Sequence, residues 1–259
     1  MHHLGMTTLV LLPGLACDGE VWEGVLGALR GAGAVGTAGA AGAAASGLRC
    51  VVSDVHFRAP SLPAMASLLL ESHAGPLVLA GHSMGGMVAL EALRQAPDRI
   101  GAAALLGSTA RPDTPELVRL RTEACALFEQ GRAEEVLRAN VAFAFDPANL
   151  GEGAPDPGLV ARYFALVLRA GAAQLVAQNR AVMARADQRP HLGAVRCPLL
   201  VACGRADLLT PPECSEEIAA AVPGAELHLL DGCGHMLTLE QPAAVAALLA
   251  GWLRNLRLS

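Results

Sequence analysis

The chain has 259 residues, of which 53% are hydrophobic and 17% are charged, and its formal net charge is -5 at pH 7. This length can bury a full core as one large α/β domain with an inserted subdomain. A net negative chain without a basic run lacks the footprint of a nucleic-acid-binding protein and of a polybasic membrane patch. We therefore expect a small-molecule partner and no nucleic acid or membrane partner.

The seven cysteines are odd in number and scattered, and no two are spaced as Cys-x-x-Cys. This pattern favours buried, apolar thiols in a reducing compartment over disulfides or a metal site. We predict a cytoplasmic protein with no bound metal.

The first predicted element is a buried strand at residues 7–12, followed by a loop at 13–19 and a helix that begins near Val21. Residues 31–47 are almost entirely Gly and Ala. Such a tract has no large side chain to offset the entropy of ordering, so it predicts a flexible surface insertion. The next strand resumes near Cys50, and His56 in the loop after it is expected to be solvated.

The central motif lies between an apolar run at residues 75–79 and a segment of helical spacing at 87–93. There, Gly81-His82-Ser83-Met84-Gly85 fits the Gly-x-Ser-x-Gly nucleophile elbow, a strained strand-to-helix turn that raises a serine hydroxyl above the sheet. The five-residue match alone is weak evidence. Its strand–turn–helix context favours a nucleophilic Ser83 over a serine in an ordinary turn.

After a strand at residues 102–106, the chain changes to helical spacing, which predicts a helical cap at 111–192 on a core formed by 1–110 and 193–259. Five of the eight aromatic residues fall inside this cap, where they form its own core, the apolar ceiling of a substrate pocket, or both. Solvated or ion-paired side chains are favoured for Arg180, Arg185 and Arg189 over a grip on an anionic substrate. The candidate pocket residues are Phe143, Phe145, Tyr163, Phe164 and Arg185.

Two further side chains complete the chemistry that Ser83 needs. A serine hydroxyl requires a base within hydrogen-bond reach, and an imidazole requires a carboxylate that fixes its tautomer. Asp207 follows a predicted strand at 198–203, and His235 follows another at 226–230. Asp231 is a rival acid, but its place four residues before His235 favours a role in shaping that loop. The predicted triad is therefore Ser83, Asp207 and His235.

Acyl transfer also requires donors for the oxyanion of the tetrahedral intermediate. One backbone N–H follows the nucleophile and a second comes from the first strand-to-helix loop. We assign these donors to Met84 and Leu15, with Ala16 as the alternative in the loop.

Strands alternate with helices along the chain, which predicts a parallel sheet with helices on both faces and active groups at the carboxyl ends of the strands. The chain resembles the α/β-hydrolases, whose triad has the same order of Ser, Asp and His. The residues that carry the resemblance are Leu11-Leu12-Pro13-Gly14, Gly81-His82-Ser83-Met84-Gly85-Gly86, Gly204 with Asp207 and Thr210-Pro211-Pro212, and Gly232-Cys233-Gly234-His235 with Glu240-Gln241-Pro242.

The last two runs are similar to the 3-oxoadipate enol-lactonase and carboxylesterase branch. The resemblance implies a mostly parallel, doubly wound sheet of about six strands, with a helical cap between the strands that the family numbers six and seven. Pro13-Gly14 stands where the family usually has His-Gly, and with few residues before Thr7 we expect the family's first two strands to be absent.

These observations predict a serine hydrolase without a cofactor that cleaves a small carboxylic ester or lactone through an acyl-enzyme. Two alternatives stay open. The same triad serves acyltransferases, perhydrolases and lyases of this fold, and the fold also occurs in ligand-binding relatives that are not enzymes.

Overall fold

The computed structural model describes residues 7–36 and 48–256, and its centre is a six-stranded, fully parallel sheet. The spatial order of the strands is β2-β1-β3-β4-β5-β6. This architecture confirms the predicted mostly parallel, doubly wound sheet. The strands are β1 (Thr8–Leu12), β2 (Arg49–Val52), β3 (Leu77–His82), β4 (Ile100–Leu106), β5 (Leu199–Gly204) and β6 (Glu226–Leu230).

The central strands are almost entirely apolar, as expected for a sheet whose two faces are both covered by helices. Every residue of β1, β3 and β5 is buried. Successive side chains of β1 point to opposite faces, so Leu9 and Leu11 pack into one hydrophobic layer and Val10 and Leu12 into the other. By contrast, the edge strand β6 has no fully buried residue.

Helices flank the sheet and also form the insertion that follows β4. Short 3-10 turns lie at Gly19–Trp22, Pro97–Arg99 and Pro147–Asn149. The helices are α1 (Glu23–Gly31), α2 (Val55–Arg58), α3 (Leu62–Ser72), α4 (Met84–Gln95), α5 (Pro115–Glu129), α6 (Ala133–Ala144), α7 (Leu159–Arg169), α8 (Gly171–Met183), α9 (Arg189–Leu192), α10 (Pro212–Ala221), α11 (Leu237–Glu240) and α12 (Pro242–Asn255).

Helices α5 to α9 lie between β4 and β5, in the segment whose spacing predicts a cap. Many of their apolar side chains, including Phe128 and Leu166, belong to the same hydrophobic cluster as α1 and α12. Ala181, Val182 and Leu192 belong to the cluster on the other side of the sheet, so the insertion contributes to both hydrophobic layers. Among the residues described, no single helix is long and apolar enough to cross a bilayer. In this described part of the chain, α7 and α8 reach that length when taken together, and they are bent by 88°.

The N-terminal part of the Gly/Ala tract differs from the predicted flexible insertion. Ala34 and Val35 are buried, and the Gly36 N–H donates to the Leu48 carbonyl, so residues 34–36 pack against the core. Residues 37–47 of the predicted insertion lie outside the described residues. All seven cysteines are free thiols, and six of them are buried.

Candidate active site

Ser83 occupies a strained turn between β3 and α4. Its φ of 53° and ψ of -117° place a residue with a Cβ in a backbone region that favours glycine. The flanking glycines make the turn possible, because a Cβ on Gly81 would lie 2.4 Å from the carbonyl of Gly85. A Cβ on Gly85 would lie 2.2 Å from the carbonyl oxygen of Leu12. The start of α4 thus packs in direct contact with the backbone at the end of β1.

His235 joins Ser83 to Asp207. Its Nε2 lies 2.9 Å from Ser83 Oγ, and its Nδ1 lies 2.8 Å from Asp207 Oδ2. The His235 side chain is almost fully buried, and its backbone N–H donates to the carbonyl of Ala144 at 2.8 Å. The structure therefore brings the three residues of the predicted triad into one hydrogen-bonded chain.

Asp207 has no solvent exposure, and each of its carboxylate oxygens accepts at least two hydrogen bonds. Oδ1 accepts from the backbone N–H of Leu209 and Thr210, each at 2.9 Å, and Oδ2 accepts from Thr210 Oγ1 at 2.8 Å and from His235. Burial alone would raise the pKa of Asp207, but the attraction of His235 and these hydrogen bonds lower it below its ordinary value of 3.8. The carboxylate therefore stays ionised at neutral pH.

Asp231, the rival acid, lies outside this chain of hydrogen bonds. Its side chain is 87% exposed and pairs with Arg205 at 2.6 Å. Asp207 is thus buried and bound to His235, whereas Asp231 is exposed and bound to Arg205.

The loop after β1 carries the candidate oxyanion donors. The Ala16 N–H donates to Gln178 Oε1 at 2.6 Å, so the alternative donor is already occupied. Within residues 7–36 and 48–256, neither the Leu15 N–H nor the Met84 N–H has a hydrogen-bond acceptor. These two amides are the donors that the sequence predicts.

His82 and Glu240 support the site, although the sequence predicts a role for neither. The Nε2–H of His82 donates to the backbone carbonyl of His235 at 2.8 Å. Burial, and then the charge of His235, lower the pKa of His82 to about 4, so it is neutral. Glu240 accepts from the Gly234 N–H at 2.9 Å and the Asp146 N–H at 2.8 Å. The only signal in the sequence is that both residues belong to the motifs that carry the family resemblance.

His56 differs from its prediction as a solvated residue. Its side chain is buried, and Nε2 donates to the carbonyl of Cys17 at 2.8 Å. Burial lowers the pKa of His56, so the ring acts as a neutral donor that holds the loop after β1.

The predicted pocket residues fall into different settings. Phe145 is fully buried, contacts Gly234 beside His235, and packs edge-on against Tyr163 at 5.2 Å between ring centroids. Phe164 lies 5.9 Å from Tyr163, while Phe143 is 46% exposed. The structure therefore places Phe145 and Tyr163 next to the histidine loop.

Arg185 does not present a free cation to a substrate. Its Nη1 lies 2.7 Å from the buried carboxylate of Asp113, and its Nε donates to the carbonyl of Arg111 at 2.8 Å. Arg180 pairs with a glutamate and Arg189 with an aspartate on the surface. All three arginines are thus ion-paired. Among the described residues, no three His, Cys, Asp or Glu side chains cluster as a metal site would require.

Comparison with known proteins gives a consistent picture. A model of the alpha/beta hydrolase family matches residues 9–248. A protein of Serratia proteamaculans named "Putative carbamate hydrolase RutD" is 27% identical over 246 residues, which cover 95% of this chain and 90% of the relative. The pimeloyl-[acyl-carrier protein] methyl ester esterase of Aromatoleum aromaticum is 28% identical over 219 residues, covering 76% of this chain and 82% of the relative.

Among solved structures, the enol-lactonase from Burkholderia xenovorans LB400 superposes with a TM-score of 0.81. The match covers 98% of this chain and 94% of the lactonase at 20% sequence identity. At this identity the likeness establishes the shared fold.

Proposed function

Because the chain belongs to the alpha/beta hydrolase family, we propose that it is a serine hydrolase that cleaves a small carboxylic ester or lactone. The observation that carries this proposal is the unbroken chain of hydrogen bonds from Asp207 through His235 to Ser83, with distances of 2.8 and 2.9 Å. A serine on a strained elbow that contacts a buried, carboxylate-bound imidazole is the arrangement that activates a hydroxyl for attack on a carbonyl.

The proposed reaction has two stages. His235 Nε2 accepts the Ser83 proton while Oγ attacks the carbonyl carbon, and the resulting imidazolium then protonates the leaving alcohol. Water, activated by the same nitrogen, hydrolyses the acyl-enzyme and releases the acid. The ionised Asp207 stabilises the imidazolium, and the amides of Leu15 and Met84 hold the oxyanion in both stages.

The relatives support a substrate with an acyl carbon bonded to oxygen. They are named for a carbamate, a methyl ester and, among solved structures, an enol-lactone. In each of these groups the electrophile is a carbonyl carbon with an oxygen or nitrogen leaving group, which is the electrophile that Ser83 would attack.

The test is turnover of p-nitrophenyl acetate together with labelling by a fluorophosphonate. We expect Ser83→Ala to lower kcat by at least about 10⁴-fold and to abolish labelling. Ser67→Ala, on the outer helix α3, is the matched control and should keep both. Turnover retained by Ser83→Ala would show that the mechanism is wrong.

A second measurement identifies the substrate class and separates hydrolysis from transfer. A panel of esters graded by acyl length, with simple lactones and an enol-lactone, is assayed with and without added alcohol or hydrogen peroxide. Free acid as the product in every case supports hydrolysis. An acyl-transfer or peracid product would favour the acyltransferase or perhydrolase alternative.

A further inference from the structure

A side chain of the helical insertion holds the loop that carries Leu15. Gln178, on α8, is 1% exposed, and its Oε1 accepts the Ala16 N–H at 2.6 Å. Its Nε2 donates to Gln174 Oε1 at 3.2 Å, and Gln174 in turn donates to the carbonyl of Phe57 at 3.3 Å. These bonds fix the carboxamide of Gln178 with its oxygen toward the loop.

The loop requires such support because Ala16 has a φ of 58°, in the left-handed region. A residue with a Cβ stays in this region only when its surroundings determine the conformation. Three hydrogen bonds do so here. The Cys17 N–H closes the turn on the carbonyl of Gly14 at 3.1 Å, His56 binds the carbonyl of Cys17 at 2.8 Å, and Gln178 binds Ala16. Only the last of these contacts comes from the insertion.

We propose that Gln178 is a positioning residue for the oxyanion hole, an inference that rests on the proposed function. The N–H groups of Leu15 and Ala16 belong to consecutive peptide planes, so fixing the second plane restricts the first. Gln178 occupies the Ala16 N–H and thereby leaves the Leu15 N–H as the amide of this loop that faces the carbonyl oxygen of the substrate.

This arrangement links the insertion to the chemical step. Preorganised donors stabilise the oxyanion because they need no reorientation when the charge develops. Without Gln178, the Ala16 N–H loses its acceptor, and the strained turn relaxes toward conformations in which the Leu15 N–H points elsewhere. The stabilisation that is lost is mainly that of the transition state, where the negative charge is largest. Substrate binding is weakened much less.

Gln178→Met tests the proposal because methionine has a similar length and no carboxamide acceptor. The matched control is Asn179→Leu, which removes the neighbouring buried carboxamide of the same helix. Asn179 binds Arg121 and the carbonyl of Leu175 and makes no hydrogen bond to the loop. The readouts are kcat and KM for p-nitrophenyl acetate, the rate of fluorophosphonate labelling, and hydrogen exchange of the Ala16 amide.

Removing a whole oxyanion donor costs about 10²- to 10³-fold in kcat, so we expect the displaced donor in Gln178→Met to cost about 10- to 100-fold. KM should change by less than about threefold, because substrate binding is largely kept. The Ala16 amide should exchange faster. Asn179→Leu should lower the melting temperature while kcat and Ala16 exchange stay near the wild-type values.

An unchanged kcat in Gln178→Met, or an equal fall in Asn179→Leu, would overturn the proposal. If Gln178→Met does not fold, Gln178→Asn replaces it, since the shorter side chain cannot reach Ala16 and should give the same split between kcat and KM. Wild-type protein that fails to label at Ser83 overturns the proposed function as well. If the wild type is labelled at Ser83 and the Gln178 variant keeps its kcat, the positioning role alone is overturned.

Discussion

Replacing Asp207 by asparagine should nearly abolish activity because of how the site would orient the new amide. In the wild type, Oδ1 accepts two backbone N–H groups, from Leu209 and Thr210, each at 2.9 Å. An asparagine must keep its single oxygen there, because an NH₂ group would face two donors. Its nitrogen then takes the place of Oδ2, 2.8 Å from His235 Nδ1.

That nitrogen donates a hydrogen to Nδ1, so His235 is forced into the tautomer that carries its proton on Nε2. Nε2 then cannot accept the proton of Ser83 Oγ, which lies 2.9 Å away. The loss of a correctly oriented base by this kind of exchange costs about 10⁴-fold in kcat. Each factor of ten corresponds to ~1.36 kcal/mol, so the transition state loses about 5.4 kcal/mol of stabilisation.

The assay is kcat for p-nitrophenyl acetate near pH 7, with the free energy of unfolding measured in parallel. The lowered pKa of Asp207 means that its ionised form stabilises the fold above the ordinary value of 3.8, and that this stability is lost as pH falls through the lower folded value. Asp231→Asn is the matched control, because that carboxylate is 87% exposed, and it should keep its activity. An Asp207→Asn enzyme within about tenfold of wild type would refute the tautomer argument.

Two further substitutions test the scaffold around the site by urea denaturation. Gly85→Ala should lower the free energy of unfolding by about 3 kcal/mol or more, because its Cβ would lie 2.2 Å from the backbone oxygen of Leu12. The control is Gly27→Ala, which has no heavy atom within 4 Å of its Cβ and should be neutral or stabilising. Equal losses in the two variants would contradict the steric argument. Glu240→Gln should cost about 1–3 kcal/mol, because the Gly234 N–H loses its carboxylate acceptor. Burial raises the pKa of Glu240 above 4.5, so its contribution is fully present below that pH and declines as pH rises through the raised value. The stability difference between wild type and Glu240→Gln should therefore be larger at about pH 4.5 than at about pH 7.5, and the reverse trend would count against the burial argument.

The order of strands and helices could be predicted from the sequence because it depends on local patterns. Apolar runs at β1, β3 and β5 and helical spacing in the insertion are visible along the chain itself. The elbow around Ser83 was predictable for the same reason, since its glycines are adjacent in sequence and their close contacts, at 2.2 to 2.5 Å for an added Cβ, leave no room for another residue.

The supporting contacts could not be predicted because they join residues far apart in sequence. Gln178 meets Ala16 across 162 positions, and His82 meets His235 across 153. Nothing in the local pattern of α8 distinguishes Gln178 from Asn179, the buried carboxamide beside it. The sequence shows the loop position of His56, which favours a solvated ring, but it does not show that the carbonyl of Cys17 receives a hydrogen bond from this ring.

The end of α6 shows that the insertion also supports the triad. The carbonyl of Phe143 accepts the N–H of Leu208, beside the acid, at 3.2 Å. The carbonyl of Ala144 accepts the N–H of His235 at 2.8 Å and that of Met236 at 3.2 Å. One short segment of the insertion therefore fixes the backbone of both the acid loop and the histidine loop, while Gln178 of α8 binds the loop that carries Leu15, one of the two proposed oxyanion donors. Substitutions in the insertion are consequently expected to change the geometry of the proposed catalytic groups unless the end of α6 and Gln178 keep their places.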